Sequence, residues 1–155
     1  MGHGVSFTHC RAAADFGKGF YVTSSPHQAQ QWANQKAKSS PGPTVNAAVL
    51  EWEMDWDWTP LTLDVMAFAL DHTPFHNFVL LNRCGSTTHG RLSSKQYDIV
   101  IGPVAAYPQT LTFANCDQIC FVAGGPNVTV AISHLLSPPG GRGKPTINVA
   151  APYFP

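Results

Sequence analysis

The chain reads as an α+β domain, a small split arrangement of mixed and antiparallel sheets with two main helices. Three observations predict this: two proline-opened helical segments in the first half, β-branched strands in the second, and glycine- and proline-rich breaks between them. A chain of 155 residues fits one domain, large enough to bury roughly 70% of the surface its unfolded form exposes. Residues 1–136 are assigned to that domain and 137–155 to a Pro/Gly-rich C-terminal extension. In the extension "SPPGGRGKPT" (137–146) breaks regular structure, and "INVAAPYFP" offers one edge strand or a segment lying along the surface.

The first helix opens at Pro26. Ser25 suits the N-cap, Pro26 the first helical position, and Gln28 follows three residues after the cap to complete a capping-box pattern. Ala29, Trp32, Ala33 and Ala37 then recur at helical spacing, with Lys36 and Lys38 toward the negative end of the dipole, and Trp32 is the expected packing residue. After the "KSSPGPT" loop (38–44), "TVNAAVLEWEM" (44–54) alternates as a strand with Val45, Ala47 and Val49 on one face. The overlapping "EWEMDWDWTP" mixes acids with indoles. It reads as a strand end whose tryptophans cover the core edge, or as an aromatic platform with carboxylates for a sugar or cation.

A second helix is predicted at 74–83, where Thr73-Pro74 repeats the cap-plus-proline opening and Phe75, Phe78, Val79 and Asn82 fall on one side. It stops before Gly85, and "CGSTTHGRLSS" (84–94) is a loop. Arg83 is either a solvated helix end or a partner for Asp98 inside the fold. "YDIVIGPVA" (97–105) is a buried strand, with Asp98 as a structural cap or a source of negative charge. "DQICFVA" (117–123) is another, placing Gln118, Cys120 and Val122 on one face and Asp117, Ile119 and Phe121 on the other. "NVTVAISHLL" (127–136) offers one more strand.

Composition narrows the function. Nine basic and nine acidic residues cancel, and charged residues make up 12% of the chain, so binding to a nucleic-acid backbone is not expected. No apolar run is long enough for a membrane span, and "MGHGVSFTHC" lacks the basic and apolar regions of a signal peptide; the expectation is a cytoplasmic protein or one released by an unconventional route. Cys10, Cys84, Cys116 and Cys120 are too irregular for a disulfide scaffold, though one bridge is open to them, and no metal-binding spacing appears. No GxSxG elbow supports a serine hydrolase. The sequon Asn127-Val128-Thr129 matters only in a secreted chain.

One stretch, "DFGKGFYVT" (15–23), carries more. Its glycines fit a close approach of backbone to ligand, and Lys18 between them projects outward or reaches a diphosphate. "FGKGFYVT" resembles the segment of ADP-ribosyltransferases, poly(ADP-ribose) polymerases included, in which a glycine-rich strand presents a tyrosine to the nicotinamide of NAD. Taken with "FVLLNR" (78–83), "YDIVIGPVA" and "DQICF" in that order, the chain is similar over roughly residues 3–123 to a microbial and fungal family, domain of unknown function 3990, which looks like a compact ADP-ribosyltransferase-like domain.

The resemblance implies a site. His3 would contact the adenine-side ribose and Gly4 the nicotinamide amide; His9, in "FTHC", is the alternative to His3. Tyr21 would stack on the nicotinamide ring, Gln118 would occupy the position of the usual glutamate, and Gly19, Thr23, Ser24 and Ser25 would line the nucleotide. NAD is the implied substrate, with a small-molecule nucleotide and an unidentified acceptor as partners. Cleaving the nicotinamide–ribose bond develops positive charge at the anomeric carbon, which a carboxylate stabilises best in the transition state. A glutamine lacks that charge, so the resemblance implies slow transfer or hydrolysis, a non-catalytic nucleotide-binding module, or a cleft reused for other chemistry.

Overall fold

The computed structural model describes residues 5–40, 46–51, 62–93, 95–136 and 146–149. Along the chain these form β1 (Gly19–Thr23), α1 (Pro26–Ser39), β2 (Ala48–Glu51), β3 (Val65–Ala67), α2 (Thr73–Arg83), β4 (Ile99–Ala105), β5 (Thr112–Val122), α3 (Val128–Leu136) and β6 (Thr146–Val149), preceded by a 3-10 turn at Phe7–His9. The result is an α+β fold with one four-stranded mixed sheet, ordered β1-β5-β4-β3, and a pair, β2-β6.

The alternation of β5 divides the core. Cys120 and Val122 face a cluster with Phe16, Phe75, Phe78, Val79 and Val100, which α2 covers. Ile119 and Phe121 face a second cluster with Ile99, Val128, Ala131 and Ile132, which α3 covers. A strand buried on both faces is continuously apolar, which is why "ICFV" carries no polar alternation. β5 pairs antiparallel with β1 on one side and with β4 on the other. β4 in turn pairs in parallel with β3. The "GP" of β4 lies inside the strand, which runs on to Ala105 through a register irregularity after Pro103, a position where a missing ladder donor is tolerated.

α2 buries Phe75, Phe78, Val79 and Asn82, the four residues its spacing predicted. α1 begins as expected, with Ser25 Oγ accepting from Gln28 N at 3.3 Å. Trp32, however, is 59% exposed, with Lys36 Nζ over its ring. The half-buried side of α1 is Gln28, Ala29, Ala33, Asn34 and Ala37, whose three alanines let the helix lie against the strands, and Trp32 is rotated off that line.

The largest departure is at 127–136: the segment read as a strand is helix α3. Its buried residues Val128, Ala131 and Ile132 follow the i, i+3, i+4 spacing of a helix, a pattern masked by its β-branched composition. Asn127 of the sequon is held by structure, its Nδ2 donating to Asp98 Oδ2 and Thr62 O. β3, only three residues long, was not expected at all. From the C-terminal stretch, Thr146–Val149 forms an edge strand on β2, and Ala47 and Val49 alternate inward as the sequence suggests. The tryptophan-rich 52–60 lies outside the described residues. All four cysteines are free thiols. No helix among the described residues is long and apolar enough to cross a membrane.

Candidate functional site

Asp15, Phe16 and Gly17 enter β1 as a buried loop, and Gly17 sits at φ +83°, a left-handed conformation that glycine adopts without a Cβ penalty. Two side chains clamp it. Tyr21 Oη accepts from Phe16 N at 2.9 Å and donates to Gly17 O at 2.8 Å, while its ring stacks on Phe16. His89 Nε2 lies 3.2 Å from Phe16 O, and its Nδ1 accepts from Tyr97 N at 3.3 Å, which fixes the proton on Nε2. Burial pushes the Tyr21 phenol far above its ordinary range, with the adjacent Cys120 thiol adding to the effect, so this hydroxyl stays protonated. Cys120 is pushed up to about 12, again mainly by burial, and is therefore an inert packing thiol rather than a nucleophile.

The clamp has a measurable weight. Tyr21→Phe removes one donor and one acceptor from the loop, a loss expected to cost about 1–2 kcal/mol and to lower the midpoint of a thermal melt by roughly 2–8 °C for a domain of this size. An unchanged melt would mean that water replaces the hydroxyl.

Antiparallel pairing places Tyr21 opposite Cys120 and Thr23 opposite Gln118, so Tyr21, Thr23 and Gln118 share one face of the β1–β5 pair. Gln118 is 8% exposed and its amide is committed: Nε2 donates to Asp15 Oδ2 at 2.8 Å and to Pro103 O at 3.1 Å. Asp15, 5% exposed, also accepts from Arg83 Nε at 2.8 Å and Nη2 at 2.5 Å. The Arg83 guanidinium lies over the Tyr107 ring. The four residues form one polar cluster against the first core, with Asp15 at its centre and Arg83 neutralising it.

Arg83 thus pairs with Asp15, where sequence reasoning offered a solvated end or Asp98. Asp98 is instead a structural cap, accepting from Asp64 N, Asn127 N and Asn127 Nδ2. Ser24 and Asp117 exchange bonds at the strand end: Ser24 N donates to Asp117 O at 3.0 Å, and Asp117 N to Ser24 Oγ at 3.1 Å. Thr23 Oγ1 donates to Asp117 O and accepts from Ser25 N, so Thr23, Ser24 and Ser25 together brace the turn into α1. Gly19 lies opposite Val122 and packs against Cys120, where a Cβ would come within 2.4 Å of the Cys120 sulfur. His3 and Gly4 lie outside the described residues. His9 ends an exposed 3-10 turn rather than standing in a strand. Lys18 is exposed.

A family model described as a protein of unknown function, DUF3990, matches residues 3–121. The chain belongs to the DUF3990 family. No curated protein matches it, and no solved structure does.

Two members of the polar cluster and its clamp in this DUF3990 domain went unread in the sequence. Asp15 had a signal: in a chain with few charges, an acid inside "AADFG" has apolar neighbours and needs a partner. His89 had none, because the polar loop "STTHGR" gives no hint that one residue turns inward. A separate open cavity of about 480 Å³ lies at the start of α2, lined by Asp71, His72, Thr73, His76, Asn77 and Thr110. It does not include Tyr21, Thr23 or Gln118, and a depression at a helix start whose lining holds no buried unpaired group defines no ligand.

Proposed function

We propose that this DUF3990 domain binds NAD or a related ADP-ribose-type nucleotide at the Thr23–Gln118 end of the β1–β5 pair and acts slowly on the nicotinamide–ribose bond, as an ADP-ribosyltransferase-like enzyme. The observation that carries this reading is the fixed orientation of Gln118. With both amide protons directed to Asp15 and Pro103, what Gln118 has to offer a ligand is the Oε1 acceptor, suited to a ribose hydroxyl. Thr23 stands opposite it in the strand register, and the Ser24 hydroxyl is bonded to the adjacent Asp117. Tyr21 positions the glycine loop in this scheme.

The same geometry limits the rate. Gln118 carries no charge, and the nearest carboxylate, Asp15, is ion-paired to Arg83, so little negative charge faces a developing oxocarbenium. The deficit relative to a site with a free carboxylate is roughly 3–4 kcal/mol, or two to three decades in rate. That neutralised carboxylate also favours the second reading, a nucleotide-binding module without turnover.

Nicotinamide release from NAD, followed beside calorimetric titration, tests both. The expected result is measurable binding, slow release above the uncatalysed rate, and about tenfold weaker binding in Gln118→Ala, the weight of one neutral hydrogen bond. Binding without release selects the module. Absence of binding, or binding and release untouched by Gln118→Ala, refutes the site.

A further inference from the structure

His89 stands apart from the polar cluster but holds the loop that carries it. Its ring is buried, at a backbone φ of 55°, between Phe78 and Tyr97, and both nitrogens are spent on main-chain groups: Nε2 on Phe16 O, Nδ1 on Tyr97 N. Only the neutral imidazole fits. A proton added at Nδ1 would face the Tyr97 N–H, donor against donor, and would introduce a cation into a pocket toward which no carboxylate of the described residues is turned. The groups around the ring are accounted for by element: α2 contributes the neutral Phe78 and Asn82, the entry loop contributes Phe16 and Gly17, and the ring's own loop contributes the Tyr97 phenol and the Arg91 cation. Arg91 lies over the Tyr97 ring and pairs with Asp64, so its counter-ion is already engaged.

One neighbour is unsatisfied. Asn82 Oδ1 is fully buried with no hydrogen-bond partner, and it and His89 Nε2 flank the same side of Gly17, 3.3 and 3.4 Å from where a Cβ would stand.

We propose that His89 is a proton-operated latch between the glycine loop and the approach to β4: neutral, it ties Phe16 to Tyr97; protonated, it keeps its Nε2–H on Phe16 O and releases the Tyr97 amide. The direction of titration agrees, since burial lowers the proton affinity of His89 and Arg91 lowers it further, against the opposing pull of the Phe16 carbonyl. The latch does not depend on which ligand the site takes, or on whether it takes one.

The test is amide hydrogen exchange by NMR on the whole chain between pH 7.5 and 5, corrected for intrinsic exchange, with the His89 ring titrated through its carbon shifts. The expected result is a His89 midpoint below the ordinary histidine value, and protection of the Tyr97 amide falling at least tenfold as that proton binds, while the Phe16 amide, held by Tyr21 Oη, keeps its protection. The Val100 and Cys120 amides, deep in the sheet, should keep their protection. His89→Gln, a neutral side chain that keeps one donor and one acceptor, should flatten the Tyr97 profile. Protection unchanged through the His89 titration overturns the latch. So does a loss shared equally by Val100 and Cys120, which marks global unfolding. Should His89→Gln not fold, the wild-type titration decides alone.

Discussion

Asp98→Ala is expected to be the most damaging single substitution among those considered, lowering stability by about 4 kcal/mol. The carboxylate is fully buried and accepts from Asp64 N at 2.9 Å, Asn127 N at 2.6 Å and Asn127 Nδ2 at 3.2 Å. It thereby joins the approach to β3, the start of β4 and the entry to α3. Alanine leaves the Asp64 and Asn127 main-chain donors without their acceptor and the Asn127 amide with Thr62 O alone, at a half-buried junction where water replaces the carboxylate only in part. Urea unfolding should show a lower midpoint with little change in slope, since the native surface is preserved. A loss under about 1 kcal/mol would mean that the junction relaxes enough to admit solvent.

Asp15→Ala ranks second, at about 3 kcal/mol. Breaking a buried ion pair costs more than the pair contributes, because it strands the remaining charge; here Arg83, whose side chain is 23% exposed, recovers part of its hydration, which places the cost at the lower end. Gln118 loses one of its two acceptors at the same time, so the amide is free to turn. A double-mutant cycle between Asp15→Ala and Arg83→Ala should give a clear coupling, with the double variant more stable than the sum of the single losses predicts. Additive losses would show that the two side chains do not act as a pair.

The sequence carried the fold better than the site, and particular residues show why. Phe75, Phe78, Val79 and Asn82 repeat at helical spacing behind a proline start, and Gln118 to Val122 alternate across a sheet; both are local patterns written in consecutive residues. α3 is different. Val128, Thr129, Val130 and Ile132 favour a strand intrinsically, and the helix is imposed by the Asp98–Asn127 junction and by docking on the second core, contacts made across the chain. Trp32 misled for the opposite reason: its size suggested burial, but a helix lying close to strands uses its alanines. The polar cluster was legible in part. Gln118 and Tyr21 could be singled out by a family likeness, and Arg83 by its need for a counter-ion. The choice of Asp15 over Asp98 depended on which loop folds over which strand end, and no local pattern encodes that. Membership in the DUF3990 family accords with the order of the segments that suggested it.

The position of β1 at the edge of its sheet has a consequence for the order in which the molecule is made. In that sheet its neighbour is β5, and the bond between Asp15 and Gln118 spans 103 residues. β4 and β5 are joined by a short connection and can zip together as soon as both exist, whereas β1 must wait, tethered by a long loop whose closure is entropically costly. During synthesis the glycine loop, Tyr21 and Asp15 therefore leave the ribosome before β5 and stay without their strand partner until residues 112–122 follow. The chain completes its candidate site only when β5 joins residues made well before it, and a product cut short before β5 would hold half of that site with nothing to pair it.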